Sequence, residues 1–200
     1  YKELSVGNHL FMTIQWMLSS FANEGKAFFI AIWAAGFLLL VKSKKAKVYQ
    51  SLAVVFSVVA LLPYAGISFF SEMGIGYIDI EQCLTELPTW QTMTTQNRIA
   101  FFWWIAAVLF TLVLLWKVTG HSVFISMAFL GGIASEAVLH FSPTIYASGA
   151  RVYYLTDLMY LFIILWMVMR MDSEKKKNLF IAGAAALGII NLSLIHISEP

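Results

Sequence analysis

Apolar positions run through this chain in long blocks, broken by short polar turns, and the blocks predict helices long enough to cross a bilayer. Spans are expected at about 26–41, 48–70, 98–117, 122–141, 152–169 and 179–191, the last one cut short. A bilayer core takes roughly 20 apolar residues of helix, and Pro63 within the second block predicts a kink there. Ahead of these blocks, Leu10, Ile14, Met17 and Phe21 recur at helical spacing in a stretch too short and too polar at its edges to span. Residues 1–25 are therefore expected as an interfacial helix on the outer face. The fold class predicted is all-α: a polytopic transmembrane bundle of five full spans and a truncated sixth.

Composition supports this pattern. The chain is 60% hydrophobic and 12% charged, about half the charge of an ordinary soluble domain. The charges are also clustered. Segments 42–47 and 170–177, together with Lys117, hold nine of the thirteen Lys and Arg residues and fall on alternate turns. By the positive-inside rule those turns are cytoplasmic, and 1–24, 71–97 and 142–151 face outward. Phe101, Phe102, Trp103 and Trp104 open the third span at headgroup level.

Several function classes have no support. Cys83 is the only cysteine, so an internal disulfide is excluded. Zinc-ligand spacing, a phosphate-cradling glycine loop and a dinucleotide fingerprint are all missing. No metal or cofactor is expected, and no nucleic-acid partner, because the lysines sit at membrane boundaries. Glu72, Asp79, Glu81 and Glu86 make 71–97 an acidic loop, read as solvated.

Candidate chemistry concentrates in 122–170. Ala128, Gly132, Glu136 and His140 lie four apart and share one helical stripe, while Tyr153, Asp157 and Tyr160 form a second. Small residues let another helix approach closely. Glu136 and Asp157 each lie about five residues, or roughly 7–8 Å, inside the loop 142–151. Carboxylates at that depth are costly and normally face the bundle interior or water. One reading is an outward polar pocket, with Glu136, His140 or Asp157 handling a proton and Arg151 holding an anion. The other is a pair of structural contacts, Glu136 with His140 and Asp157 with Arg151. Carboxylates of this kind also fit a proton-coupled transporter, although no internal repeat is visible. A non-catalytic membrane scaffold is a further alternative.

The run GGIASEAVLHFSPTIYASGARVYY within 130–154 resembles bacterial polytopic membrane proteins of unknown function. Those are similar to the GT-C class of membrane glycosyltransferases, including the glucosyl transferases that modify surface polysaccharide. The resemblance implies transfer of a sugar from a polyprenyl-phosphate donor on the outer face, with membrane lipid as the surrounding partner. It places the catalytic carboxylate of that class in a first outer loop, which would lie upstream of Tyr1, so no catalytic residue is carried over. Arg151 matches the Arg after the Ser-Pro turn, and the implied role is contact with the lipid phosphate.

Both ends are expected to be foreign or incomplete. The chain starts at Tyr1 without an initiator Met, as a piece of a longer protein would. Residues 192–200, LSLIHISEP, resemble the in-frame translation of a sequencing adapter, so His196 and Glu199 receive no functional weight.

Overall fold

The computed structural model describes residues 6–23, 25–62, 95–120, 123–140 and 154–198, and among them every regular element is helical. In chain order these are α1 (Val6–Asn23), α2 (Lys26–Leu40), a 3-10 turn (Lys44–Ala46), α3 (Lys47–Leu61), α4 (Thr95–Val118), α5 (Val123–His140), α6 (Tyr154–Met169) and α7 (Glu174–Ser198). The all-α class is as expected. One of these helices, over Arg98–Val118, is long and apolar enough to cross a membrane, with mean hydropathy 2.4. Leu10–Ala22 and Lys26–Leu40 pass the same test only as a pair, bent by 68°. Lys47–Leu61, Val123–Val138 and Tyr154–Met169 are shorter apolar helices. Pro63, Cys83, the acidic loop and Arg151 lie outside the described residues.

Helix α2 is the axis of the bundle, packing against α1, α3, α4, α6 and α7. Its sequence explains why. KAFFIAIWAAGFLLL is apolar almost all round after Lys26, as a helix with neighbours on every side must be. Phe29, Ile32, Trp33 and Ala35 are fully buried. The Phe29 ring touches those of Phe21, Trp33, Trp104, Phe129 and Tyr160, with centroids 5.2–6.0 Å apart. Each such pair adds about 0.5–1.5 kcal/mol beyond the area it buries. One side chain thereby ties α1, α4, α5 and α6 to α2.

One turn further on, Trp33 Nε1 donates to Thr111 Oγ1 at 2.8 Å, and that hydroxyl donates to the Ala107 carbonyl at 2.7 Å. Two buried polar groups thus satisfy each other between α2 and α4. Below them Gly36 lies against Leu114; a Cβ on Gly36 would stand 2.7 Å from Leu114 Cδ2. The absent side chain sets how closely the two helices approach. On the other flank Phe56 of α3 stacks on Phe110 at 4.8 Å and touches Trp33 and Trp103.

The turns follow from local chemistry. Gln50 Nε2 donates to the carbonyls of Leu40 (2.6 Å) and Ser43 (3.1 Å), satisfying acceptors left open at the end of α2. Gly120, at φ 65°, takes the left-handed conformation just past the end of α4. The polar turn expected over 170–178 is shorter than the sequence suggested, because α7 begins at Glu174. The Ser173 carbonyl accepts from the amides of Lys176 and Lys177, and Glu174 suits the positive end of the helix dipole. The same helix continues to Ser198, through most of the adapter-like tail.

Chain direction and contacts put the turns after α2 and α6 at one end. Lys42 Nζ meets Asp172 Oδ2 at 2.7 Å, and Lys176 Nζ meets Asp172 Oδ1 at 2.9 Å. Segments expected on one side of a membrane thus meet directly. Lys42 first, then Lys176, holds the Asp172 carboxyl well below its ordinary 3.8 by hydrogen bonding. A depressed carboxylate pKa contributes stability that is complete above the ordinary value and fades as pH falls below it. Asp172→Asn is therefore expected to lower the melting temperature slightly and by a constant amount from neutral pH down to about pH 5. Below 3.8 the difference from wild type should shrink with each step in acid. High salt at neutral pH should shrink it as well.

Candidate functional site

At the opposite end of the bundle, polar groups enter the interior. Helices α5 and α6 run antiparallel there and approach closely at Gly132, where an added Cβ would stand 3.4 Å from Tyr160 Cε1 and 3.5 Å from Met159 Cβ. The Gly132 carbonyl accepts from Ser135 Oγ (2.8 Å) and Thr156 Oγ1 (3.1 Å), and the two hydroxyls lie 3.2 Å apart. A hydroxyl bonded to its own preceding turn leaves the helix intact while joining it to a neighbour. The small-residue stripe expected on α5 is thus an interhelical contact, with hydroxyls added from both sides.

Glu136 lies one turn along from Gly132 on α5 and is 1% exposed. The face that α6 turns to the core is Thr156, Tyr160, Ile163 and Met167. Asp157 sits beside that face and is half-buried, so of the expected stripe Tyr160 lies in the core face, Asp157 stands about 60° from it, and Tyr153 lies outside the described residues. Both carboxylates act electrostatically on Tyr160. Its hydroxyl oxygen is buried without a hydrogen-bond partner in the structure. The cluster is therefore a buried phenol within the electrostatic reach of two acids, on the helix pair joined by Ser135, Thr156 and Gly132.

An aromatic floor closes the cluster from below. Tyr160 packs on Phe28, Phe29 and Phe129 at 5.6–6.0 Å. Lys26 begins α2 three residues before Phe29, on the same side of the helix, and is 7% exposed. Helix α1 packs against α4 and α5, with Thr13, Gln15 and Ser19 buried. It is more than a surface helix, since it carries polar side chains into the bundle.

Of the residues singled out from sequence, Glu136 and Asp157 both act electrostatically on Tyr160. His140 ends α5, and its side chain lies outside the described residues, as do Arg151 and Tyr153. The two structural pairings expected from sequence involve those residues. Sequence reasoning missed Lys26, Gln15, Ser135 and Thr156. Lys26 reads as a loop charge until α2 is seen to start on it. Thr156 had one available signal, its i,i+4 spacing from Tyr160. Among the described residues no group of three or more His, Cys, Asp or Glu could hold a metal.

Gly132→Ala should be tolerated, because its Cβ enters ordinary contact distance. Gly132→Leu should separate α5 from α6 and break the Ser135–Thr156–Gly132 contact, at a cost of about 1–3 kcal/mol. Thermal unfolding of the purified variants checks this, and equal melting temperatures for Leu and wild type would contradict the close approach.

Compared with family models, curated proteins and solved structures, the chain matches none of them.

Proposed function

We propose that the chain is a polytopic membrane protein whose polar cluster serves a lipid-linked glycosyl transfer on the outer face. One observation carries the membrane part: the helices turn apolar side chains outward and hold polar ones inside. Val54, Val58, Phe102, Leu109, Phe124, Leu158 and Leu165 are exposed, while Gln15, Lys26, Thr111, Glu136 and Thr156 are buried. Such a distribution suits hydrocarbon as the solvent and is unfavourable in water, where apolar patches of this extent mark contact surfaces. Lysines of 42–47 and 170–178 then lie in the cytoplasm, and 71–97 and 142–151 outside.

Cys83, the sole cysteine, offers a direct test of orientation. In intact cells a membrane-impermeant maleimide is expected to label Cys83, and to spare Ser43→Cys made in a Cys83→Ser background. The reverse pattern would overturn the topology, and recovery of the protein in the alkaline carbonate supernatant would overturn membrane integration.

The glycosyl-transfer part rests on the resemblance of 130–154 to GT-C-like proteins and on the chemistry of the cluster. Carboxylates and hydroxyls bind sugar hydroxyls, and Tyr160 Oη is a buried donor available to a sugar or phosphate oxygen. Arg151 would hold the polyprenyl phosphate as a bidentate partner. A second reading, proton-coupled transport, is favoured by one feature: two carboxylates act on the same buried phenol. Glu136→Gln, Asp157→Asn, Tyr160→Phe and Arg151→Ala separate the two. Turnover of a polyprenyl-phosphate sugar is expected to fall at least about tenfold in each, the loss of one good transition-state contact, with membrane levels unchanged. Unchanged turnover in all four would refute the transfer reading. Proton uptake into proteoliposomes lost only in the two carboxylate variants would establish the second reading instead.

A further inference from the structure

A second feature runs along α2, from Ala27 and Phe28 beside the aromatic floor to Leu38 towards the basic end. A cavity of about 730 Å³ opens between α2, α3, α6 and α7. This lies within the ~300–1,000 Å³ of small-molecule sites, but its walls are almost wholly apolar, with Ser57 the one hydroxyl residue among them. The walls from α2 and α7 are built on small residues, Ala27, Ala31 and Ala34 on one side and Gly183, Ala184 and Gly188 on the other. A Cβ at Gly183 or Gly188 would meet nothing within 4 Å. The space is a long slot between helices, shaped for a flexible chain.

Two lysines stand on the lining stripes, towards the basic end. On α7, Lys176, Phe180, Gly183 and Leu187 share one helical stripe, and the last three line the cavity. On α3, Lys47, Val54, Val58 and Leu61 do the same. Each lining stripe therefore begins with a lysine at the basic end. Segments 42–47 and 170–177 around them hold eight Lys and Arg residues against two acidic ones. Asp172 and Glu174 engage Lys42, Lys176 and Lys177, which leaves the end strongly cationic.

We infer that the slot between α2, α3, α6 and α7 holds an acyl chain of an anionic glycerophospholipid, whose phosphate rests on Lys47 and shares Lys176 with Asp172. Apolar walls bury the chain, and basic groups at the mouth supply the headgroup contact, as in basic pockets between membrane helices. The inference rests on the membrane reading and does not use the proposed sugar chemistry, since Glu136, Asp157 and Tyr160 are not among the cavity's lining residues. It gives the lysine clusters a ligand in addition to their part in orientation. It also explains why α7 packs on α2 while leaving space towards α3.

Native mass spectrometry of the full chain, purified in detergent, tests it with dioleoyl phosphatidylglycerol and dioleoyl phosphatidylcholine at equal concentration. Wild type is expected to retain the anionic lipid roughly tenfold over the zwitterionic one, consistent with two lysines near a phosphate. Lys47→Gln with Lys176→Gln should bring retention of the two lipids to parity. Gly183→Phe fills open space, so it should fold with an unchanged melting temperature and retain neither lipid. Equal retention of both lipids by wild type would overturn the inference, as would undiminished retention by Gly183→Phe or a dimer that forms through this face without lipid. Failure of the membrane reading is distinguishable, because carbonate would then extract the protein whatever the lipid result.

Discussion

The arrangement of the bundle depends on how α2 fills its centre. Phe29 meets rings from α1, α4, α5 and α6 within 5.2–6.0 Å, and Trp33 and Gly36 continue the contact to α3 and α4. Where the surroundings are as apolar as the side chains, burial alone gives little reason for helices to associate. Shape, ring contacts and a few internal hydrogen bonds then carry the specificity. The Trp33–Thr111 bond and the Ser135–Thr156–Gly132 contact are of this kind, each satisfying polar groups that would otherwise be costly at depth.

The two ends of this frame carry different chemistry. At one end, Lys42, Asp172 and Lys176 join the turns after α2 and α6, surrounded by further lysines. At the other, the Tyr160 hydroxyl lies within the electrostatic reach of Glu136 and Asp157, and its ring rests on the aromatic floor. The floor serves both tasks, since Tyr160 is a packing residue through its ring and a chemical group through its oxygen. A polar cluster built on such a residue is fixed by the core and does not depend on loop conformation. The lysine end, in contrast, is exposed, and its worth lies in what it attracts.

Much of the helical framework was legible in the chain. The blocks at 98–117, 122–141 and 152–169 correspond to α4, α5 and α6 within a few residues, because uninterrupted apolar runs leave the backbone no alternative as favourable as a helix. The lysine turn at 42–47 falls between α2 and α3 as expected, for the same local reasons. The start of α7 was misplaced because three lysines read as a loop, whereas a Ser173–Glu174 start makes them the first turn of a helix. For the candidate site, the spacing of Gly132 and Glu136 was enough to pick their stripe. On α6 the expected stripe shares Tyr160 with the core face but sets Asp157 at its centre, where the structure has Thr156, since periodicity fixes a face only to within the angle between neighbours, ~100°.

The sequence by itself determined the all-helical class and most of the helix positions, because these follow from local propensity and from where charge is tolerable. Tertiary structure decided which faces meet. It made Phe29 the hub, buried Lys26 and Gln15, set Asp157 at the margin of its helix and left a slot between α3 and α7. Those outcomes depend on contacts between residues far apart in the chain. A helix that is apolar on nearly every side, as α2 is, carries no pattern that names its neighbours in advance.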